Sequence, residues 1–377
     1  MPNLTYAPLP SGGDIFKAIF SLGGVGKDLA KPWLRDGKEL FWFSRSAWSL
    51  YFVAKLYMQV MDKKKPIVWF PDYFCNSSIY PLRELGVSLM FYPISKDGNP
   101  DIIACGEMLS GGKPDLIIAA HYFGKPASLK ELFHFSVKVG AWLIEDAVHV
   151  LYPVDGVGLY GDFVMYSPHK FLPIPDGGLL ISQTTGPANI PKIILEKVNI
   201  QSIYSSVIDV DNRSNKMVFK WVFKRLLQKL GIRKLPLKSK FLDDKTVMDT
   251  NQFIHPKMSE FSKRLLSYIL SKIEEESHTR KNNKELWSSI LSNQGIMNEV
   301  DFAELTESHP PYLAGYEFKS SQIAEKIFMS LQENRYPVST WPDLPPEVLA
   351  DQRKHQVAIK MRQTRFFLPV HSSLGFS

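Results

Sequence analysis

Three stretches, DLIIAAHYFG (115–124), AWLIEDAVH (141–149) and FVMYSPHK (163–170), decide the fold. In each, an almost wholly apolar run of strand length ends abruptly in polar, chemically capable residues. Apolar runs without alternation mark strands buried on both faces. Working outward, Pro66 to Phe70, Val87 to Pro93 and Leu179 to Ser182 read the same way. The intervening segments, Ser46 to Met61, Ser77 to Leu85 and Leu129 to Val139, read as helices, and Lys96-Asp97-Gly98-Asn99-Pro100 as a turn. Strands alternating with helices predict an α/β domain whose mainly parallel sheet is covered on both faces.

The alternation fades after about residue 185. Helices are expected at Phe261 to Glu275, Arg280 to Leu291 and Ser321 to Asn334, while residues 1–40 read as irregular apart from a short apolar segment at Ile15 to Leu22. The expected organisation is a large domain over 1–260, carrying a basic helical insertion at about 200–245, and a smaller C-terminal α+β domain over 261–377. A chain of 377 residues, 45% hydrophobic and 22% charged, is long enough to bury its apolar surface without staples. Its two cysteines, Cys75 and Cys105, exclude a disulfide framework and a cysteine-based zinc site, and no metal site is expected. No apolar run reaches membrane-span length and no signal-peptide pattern opens the chain, so a cytoplasmic location is expected and the Asn-x-Ser/Thr triplets at Asn3, Asn76 and Asn212 are chance matches.

The net charge of +7 is locally concentrated. Lys216 to Lys240 holds nine basic residues and no acid, interleaved over Met217 to Leu230 with Phe219, Trp221, Phe223 and several aliphatics. A basic amphipathic helix of this kind suits an anionic membrane surface. The plainer reading is a helix packed on its own domain with a solvated basic face. Nothing resembles a groove-reading module, so no nucleic acid partner is expected.

In α/β sheets, ligands bind at the carboxyl ends of the strands. The residues there are His121-Tyr122-Phe123-Gly124, Glu145-Asp146-Ala147-Val148-His149 and Ser167-Pro168-His169-Lys170, with Ser44-Arg45-Ser46-Ala47 as a turn opening a helix. A lysine past a strand end in an apolar pocket has a lowered pKa and acts as a nucleophilic amine. An aspartate at the neighbouring strand end is an anionic partner for a protonated ring nitrogen, and free N–H groups at a helix start cradle a phosphate. Together these are what pyridoxal 5'-phosphate needs: a Schiff-base amine, a pyridinium partner and an anchor. Singly, each has a plainer role as a loop lysine, a helix cap or a turn residue.

The run His121-Tyr122-Phe123-Gly124-Lys125-Pro126, Ile144-Glu145-Asp146-Ala147-Val148-His149, Gly161-Asp162, Ser167-Pro168-His169-Lys170 and Asp176-Gly177-Gly178 resembles the DegT/DnrJ/EryC1/StrS aminotransferases. Phe70 to Cys75 and Leu368-Pro369-Val370-His371 extend the resemblance, which covers roughly residues 40–371. It implies a fold type I architecture with pyridoxal phosphate on Lys170, Asp146 against the ring nitrogen and His149 near the cofactor's ring oxygen. It implies Ser46 and Ser167 on the phosphate, with the backbone of Arg45 to Ala47, and places His121 near the ring or substrate. The implied reaction moves an amino group from an amino acid, glutamate first, to a nucleotide-linked keto sugar for surface-glycan or amino-sugar synthesis, in a homodimer with a shared active site. Family members that dehydrate sugars replace the lysine with histidine, whereas this chain keeps Lys170.

The chain also departs from the family pattern. Cys75 stands where the family has an aromatic ring over the cofactor, which makes Tyr73 and Phe74 the candidate substitutes. Arg45 replaces the glycine of the phosphate turn. His255-Pro256-Lys257-Met258-Ser259 aligns with the family's "N-Y-R-M-S", which makes His255 the candidate reaching a partner subunit. Gly178 and Met258 lie 80 residues apart, with the basic stretch between them. A non-sugar ketone is the alternative acceptor, and a catalytically silent scaffold docking on membranes is the alternative of another class.

Overall fold

A computed structural model describes residues 4–20, 28–35, 39–189, 198–209, 214–232, 240–242, 255–303 and 309–375. Its main sheet has seven strands: β1 (Leu40–Phe43), β2 (Ile67–Pro71), β3 (Ser88–Tyr92), β4 (Leu116–Ala120), β5 (Trp142–Asp146), β6 (Phe163–Tyr166) and β7 (Gly178–Ser182). Their order is β1-β7-β6-β5-β4-β2-β3. Strands β2 to β6 pair in parallel, and β7 runs antiparallel to both β6 and β1. The apolar runs of β4, β5 and β6 are buried along their whole length, as strands covered on both faces must be. In register, Ala120 lies opposite Asp146, and Asp146 opposite Met165. The three chemical segments therefore emerge side by side at one edge.

The helices are α1 (Gly12–Phe20), α2 (Ala47–Val60), α3 (Tyr80–Glu84), α4 (Ile102–Met108), α5 (Lys130–Val139), α6 (Pro168–Phe171), α7 (Ile200–Ile208), α8 (Ser214–Lys229), α9 (Glu260–Ile269), α10 (Ile273–Asn293), α11 (Ser321–Glu333), α12 (Pro346–Ala350) and α13 (Gln356–Thr364). One apolar cluster joins α2, α5 and strands β2 to β6 and takes in Trp341, Leu344 and Met361. A second, on the opposite face, joins Val164, Phe171 and Ile181 to Leu265 and Ile269 of α9. A second sheet, β10-β9-β8, is antiparallel and comprises β8 (Val300–Ala303), β9 (Leu313–Phe318) and β10 (Arg365–Pro369). It packs Tyr316, Phe318 and Phe366 on Trp287 and Phe328 in a third cluster.

Residues 12–20 form a helix rather than an irregular segment, because Ser11 caps it: its Oγ accepts from the Asp14 N–H at 3.0 Å, and Ile15 and Ala18 bury against the body. Asn76 to Glu84 starts as a 3₁₀ turn and becomes α-helical only at Tyr80, where Pro81 enters the first turn. The break expected near 276–279 lies at 270–272 instead, since 273–293 contains no helix breaker. The basic stretch does form a helix over Ser214–Lys229, whereas Arg233, Lys234 and Lys238 lie outside the described residues. One side of α8 exposes Phe219 and Phe223, and the other carries Trp221, half-buried in a cavity wall that also includes Lys170. Among the described residues no helix is long and apolar enough to cross a membrane.

Candidate active site

The edge at the ends of β4, β5 and β6 forms a cavity of about 330 Å³, whose wall includes Lys170, Asp146, His149, His121, Cys75 and Trp341. Lys170 lies in α6, a single turn opened by Pro168 directly after β6, so its position is fixed by a strand end and a proline-started turn. Its Nζ lies 3.1 Å from His149 Nε2 and 5.5 Å above the Tyr312 ring. Burial pushes the amine's pKa down; the Asp146 and Cys75 charges oppose this and the Arg45 guanidinium adds to it. The His149 ring is held flat between Tyr312 (4.5 Å between centroids) and Phe123 (5.3 Å). Phe123 itself stacks on Phe367 and adopts a left-handed backbone, φ 55°, a strained conformation offset by that packing.

Hydrogen-bond direction assigns the His149 tautomer. The Phe123 N–H can only donate, and it reaches His149 Nδ1 at 3.5 Å, a long contact. A neutral ring then carries its proton on Nε2, facing the Lys170 amine. Burial holds His149 well below the usual histidine range, with Lys170 acting in the same direction. The pair is thus built for a neutral imidazole donating to an uncharged amine.

Asp146 and Glu145 are adjacent and opposite in character. Glu145 accepts from Gly158, Tyr160 and Gly161 N–H at 2.6–2.7 Å and from His121 Nε2 at 2.9 Å. Burial raises its carboxyl, but the His121 bond and these amides outweigh it and leave the pKa below the ordinary value. His121 Nδ1 accepts from the Ala127 N–H, so Nε2 is the donor to Glu145 and both ring nitrogens are engaged. Although His121 lines the cavity, its polar atoms hold the 158–161 loop. Among the described residues the Asp146 carboxylate accepts one hydrogen bond, from the Val148 N–H at 3.0 Å, and burial raises it to about 6 against the pull of Lys170.

The turn 44–46 is clamped on two sides. Gly177 N–H donates to Ser44 O, Ser44 N–H donates to Pro256 O, and Ser44 Oγ donates to His255 O. A Cβ on Gly178 would lie 2.6 Å from Ser46 N, so only glycine lets this turn approach β7. Ser46 Oγ donates to Tyr166 O at 2.9 Å, which seats Ser46 beside Ser167 at the start of α2, with Ala47 as its first residue. Ser167 Oγ and Gly177 O both contact His169 Nδ1. His255 is buried behind the turn of its own chain, its Nδ1 without a partner among the described residues.

Of the three ring candidates, Phe74 and Cys75 line the cavity, while Tyr73 sits behind, stacked 4.4 Å on Trp341. Burial, with Asp343 acting in the same direction, pushes the Cys75 thiol up. Sequence reasoning misses Trp341 and Tyr312. Both come from the C-terminal third and from segments without periodicity, and no local signal distinguishes them from core aromatics.

Residues 74–199, about a third of the chain, match the sequence profile described as the DegT/DnrJ/EryC1/StrS aminotransferase family. A serine hydroxymethyltransferase of Pyrobaculum calidifontis is 27% identical over 123 residues, which is 30% of this chain and 28% of that relative's length. The fold recurs in a DegT DnrJ EryC1 StrS aminotransferase from Brucella abortus (14% identity, 95% of this chain and 89% of the other, TM-score 0.61). It recurs in Helicobacter pylori PseC, an aminotransferase involved in the biosynthesis of pseudoaminic acid (15%, 98% and 94%, 0.62). It recurs also in the E. coli GDP-4-keto-6-deoxy-D-mannose-3-dehydratase with bound hydrated PLP (15%, 98% and 96%, 0.63). At these identities the likeness establishes the fold, which is the fold type I architecture expected from the sequence. On that fold, the stretch 74–199 that holds Asp146, His149 and Lys170 carries the sequence pattern of the DegT/DnrJ/EryC1/StrS aminotransferase family.

Proposed function

We propose that this chain is a pyridoxal-phosphate-dependent aminotransferase that passes an amino group from an amino acid, glutamate first, to a ketone on a nucleotide-linked sugar. The observation that carries the reading is the shared cavity of a buried, pKa-lowered lysine amine and a buried, pKa-raised aspartate. The donor set fits the cofactor on its own chemistry. Among the described residues Asp146 forms no ion pair, and a protonated pyridine nitrogen would supply one. The amine of Lys170 is biased toward its nucleophilic form. The start of α2 lies against Gly178, and the N–H groups of Arg45 to Ala47 there are the candidates for a phosphate. When bound, pyridoxal phosphate provides an electron sink for the pair released as an amino acid Cα–H bond breaks.

The chain's own residues do the rest. Lys170 Nζ would be the amine that holds the cofactor and the base that moves a proton at the substrate Cα. Asp146 would hold a protonated ring nitrogen, and that cation would draw the aspartate's own pKa back down. His149 orients Nζ through Nε2–H, and the Tyr312 and Phe123 rings fix the plane of the imidazole. Ser46, Ser167 and the amides of Arg45 to Ala47 would hold the phosphate end. The sugar-linked acceptor is supported by the family profile and by relatives such as PseC and the GDP-4-keto-6-deoxymannose dehydratase, both named for sugar chemistry. A homodimer in the cytoplasm completes the reading.

The test is the visible spectrum of the protein mixed with pyridoxal phosphate, before and after borohydride, with peptide mapping. The expected result is a yellow band that borohydride abolishes, a label on Lys170, and bleaching by glutamate. A protein that takes up no cofactor overturns the reading.

A further inference from the structure

Beside the cofactor cavity lies a larger one, of about 870 Å³, that shares Lys170 in its wall. Its charge is one-sided: Arg45, Arg225, Arg280 and Lys170 line it, and no aspartate or glutamate does among the described residues. The guanidiniums are not equivalent. Arg280 is committed to structure, 2.7 Å from Glu276 and bonded to the carbonyls of Phe171, Pro311 and Tyr312. Arg45 donates to Pro175 O and Ser44 O and belongs to the turn at the start of α2. Arg225 comes from α8, the basic helix between Gly178 and Met258. It lies 5.4 Å over the Trp221 ring, with Nη1 2.8 Å from Gln228 Oε1, and Trp221 lines the same cavity. Residues 221 and 225 are one turn apart, so a single face of α8 presents an aromatic plane and a guanidinium fork together.

We propose that this face of α8 is the substrate-recognition wall of the site, with Arg225 taking a phosphate of the substrate and Trp221 the face of its planar ring. The proposal rests on the aminotransferase reading for the identity of the neighbouring cavity. A guanidinium fork matches phosphate oxygens bidentately, and an indole plane offers stacking area to a flat heterocycle. A cavity lined by three guanidiniums and, among the described residues, by no carboxylate favours a polyanion. A nucleoside diphosphate has both features at once. The basic helix thus has a role within the site, on the side opposite its exposed Phe219 and Phe223.

The experiment is calorimetric titration of the pyridoxal-phosphate-loaded full chain with uridine, guanosine and thymidine diphosphates and with inorganic pyrophosphate. The variants are Arg225→Gln, Trp221→Leu and, on the exposed face, Lys220→Gln, with Arg225→Lys as the second charge variant should Arg225→Gln not fold. The wild type is expected to bind at least one nucleotide more tightly than pyrophosphate. Arg225→Gln should weaken both by about tenfold or more, Trp221→Leu only the nucleotide, and Lys220→Gln neither by more than about twofold. Arg225→Lys should still bind, more weakly than wild type, because it keeps the charge and loses the fork. Unchanged affinity in Arg225→Gln overturns the proposal, as does a wild type that binds none of the nucleotides. A variant that loses pyridoxal phosphate affinity alone also overturns it and assigns α8 to the cofactor's phosphate. Failure of the chain to develop the yellow band is a separate result: it removes the aminotransferase reading, and the nucleotide titration is still read on the same protein.

Discussion

Asp146→Asn in the cofactor-free protein is the most direct test of the site's electrostatics. In the folded chain the carboxyl titrates near 6 rather than 3.8, with burial as the main cause. A carboxyl whose folded pKa is raised costs nothing below pH 4, where it is protonated whether the chain is folded or not. It costs progressively more as pH rises toward 6 and a constant amount above. At about 1.36 kcal/mol per pH unit, the rise amounts to about 3 kcal/mol lost at pH 8. Asn at 146 is isosteric, keeps an acceptor for the Val148 N–H, and has no charge to desolvate. Lys170 loses its anion, but a neutral amine is the form that the His149 Nε2–H favours. The cofactor-free variant is therefore expected to be more stable than wild type at pH 8 by about 3 kcal/mol and equal to it below pH 4. For a chain of this length the melting midpoint at pH 8 rises by about 4 °C. Calorimetry of both cofactor-free proteins between pH 4 and 8 checks it. The same variant should bind pyridoxal phosphate more weakly, so the added cofactor reverses the order of stability. A cofactor-free variant that is less stable than wild type at pH 8, or that differs by the same amount at every pH, refutes the reasoning.

Contacts around the same edge give three further expected outcomes. His121→Phe leaves the Ala127 N–H without its acceptor and Glu145 with three donors instead of four, and is expected to lower stability by about 2 to 3 kcal/mol in urea unfolding while Lys170 still takes cofactor. Gly178→Ala pushes a Cβ into Ser46 N and Arg45 C; it should lower stability by about 1 to 3 kcal/mol and raise the half-saturation concentration for pyridoxal phosphate, read from the visible band. His149→Phe keeps a ring between Phe123 and Tyr312 but removes the N–H facing Nζ. Because that proton favours the uncharged amine, its loss raises the lysine's pKa, and the pH at which cofactor uptake is half-maximal should move upward.

The main sheet is legible in the sequence because its central strands are buried on both faces, and such strands cannot hide their composition. Asp115 to Ala120 and Phe163 to Tyr166 admit little other reading, and the polar residues after them fall at one edge by register alone. What is not legible depends on contacts between distant segments. Ser11 caps α1, but two glycines inside the helix mask its start. Strands Leu313–Phe318 and Arg365–Pro369 pair across a stretch of chain that holds α11, α12 and α13, with neither run apolar enough to announce itself. Trp341 reaches the cavity because it stacks on Tyr73, nearly 270 residues earlier. The basic helix is legible as a helix and only partly as a surface: its spacing carries two faces, and only the tertiary structure reveals that Trp221 and Arg225 look inward.

Glu145 and Asp146 show how far residue type can carry a functional argument. They are neighbours at the end of one strand, both carboxylates, both buried, and in the sequence equally eligible to face a cation. Chain direction separates them, since successive side chains of a strand point to opposite faces. Hydrogen-bond saturation then decides the roles. Four donors fill Glu145, hold it ionised, and make it the organiser of residues 158–161. One donor on Asp146 leaves its charge unbalanced in a cavity with an amine. His121 and His149 divide in the same way: His121 has both nitrogens committed to structure, whereas His149 has one committed and one at the reactive nitrogen. In each pair the residue whose polar atoms are not all committed to backbone and loop is the one that meets the amine, and that incompleteness, rather than the residue type, is what identifies the chemistry.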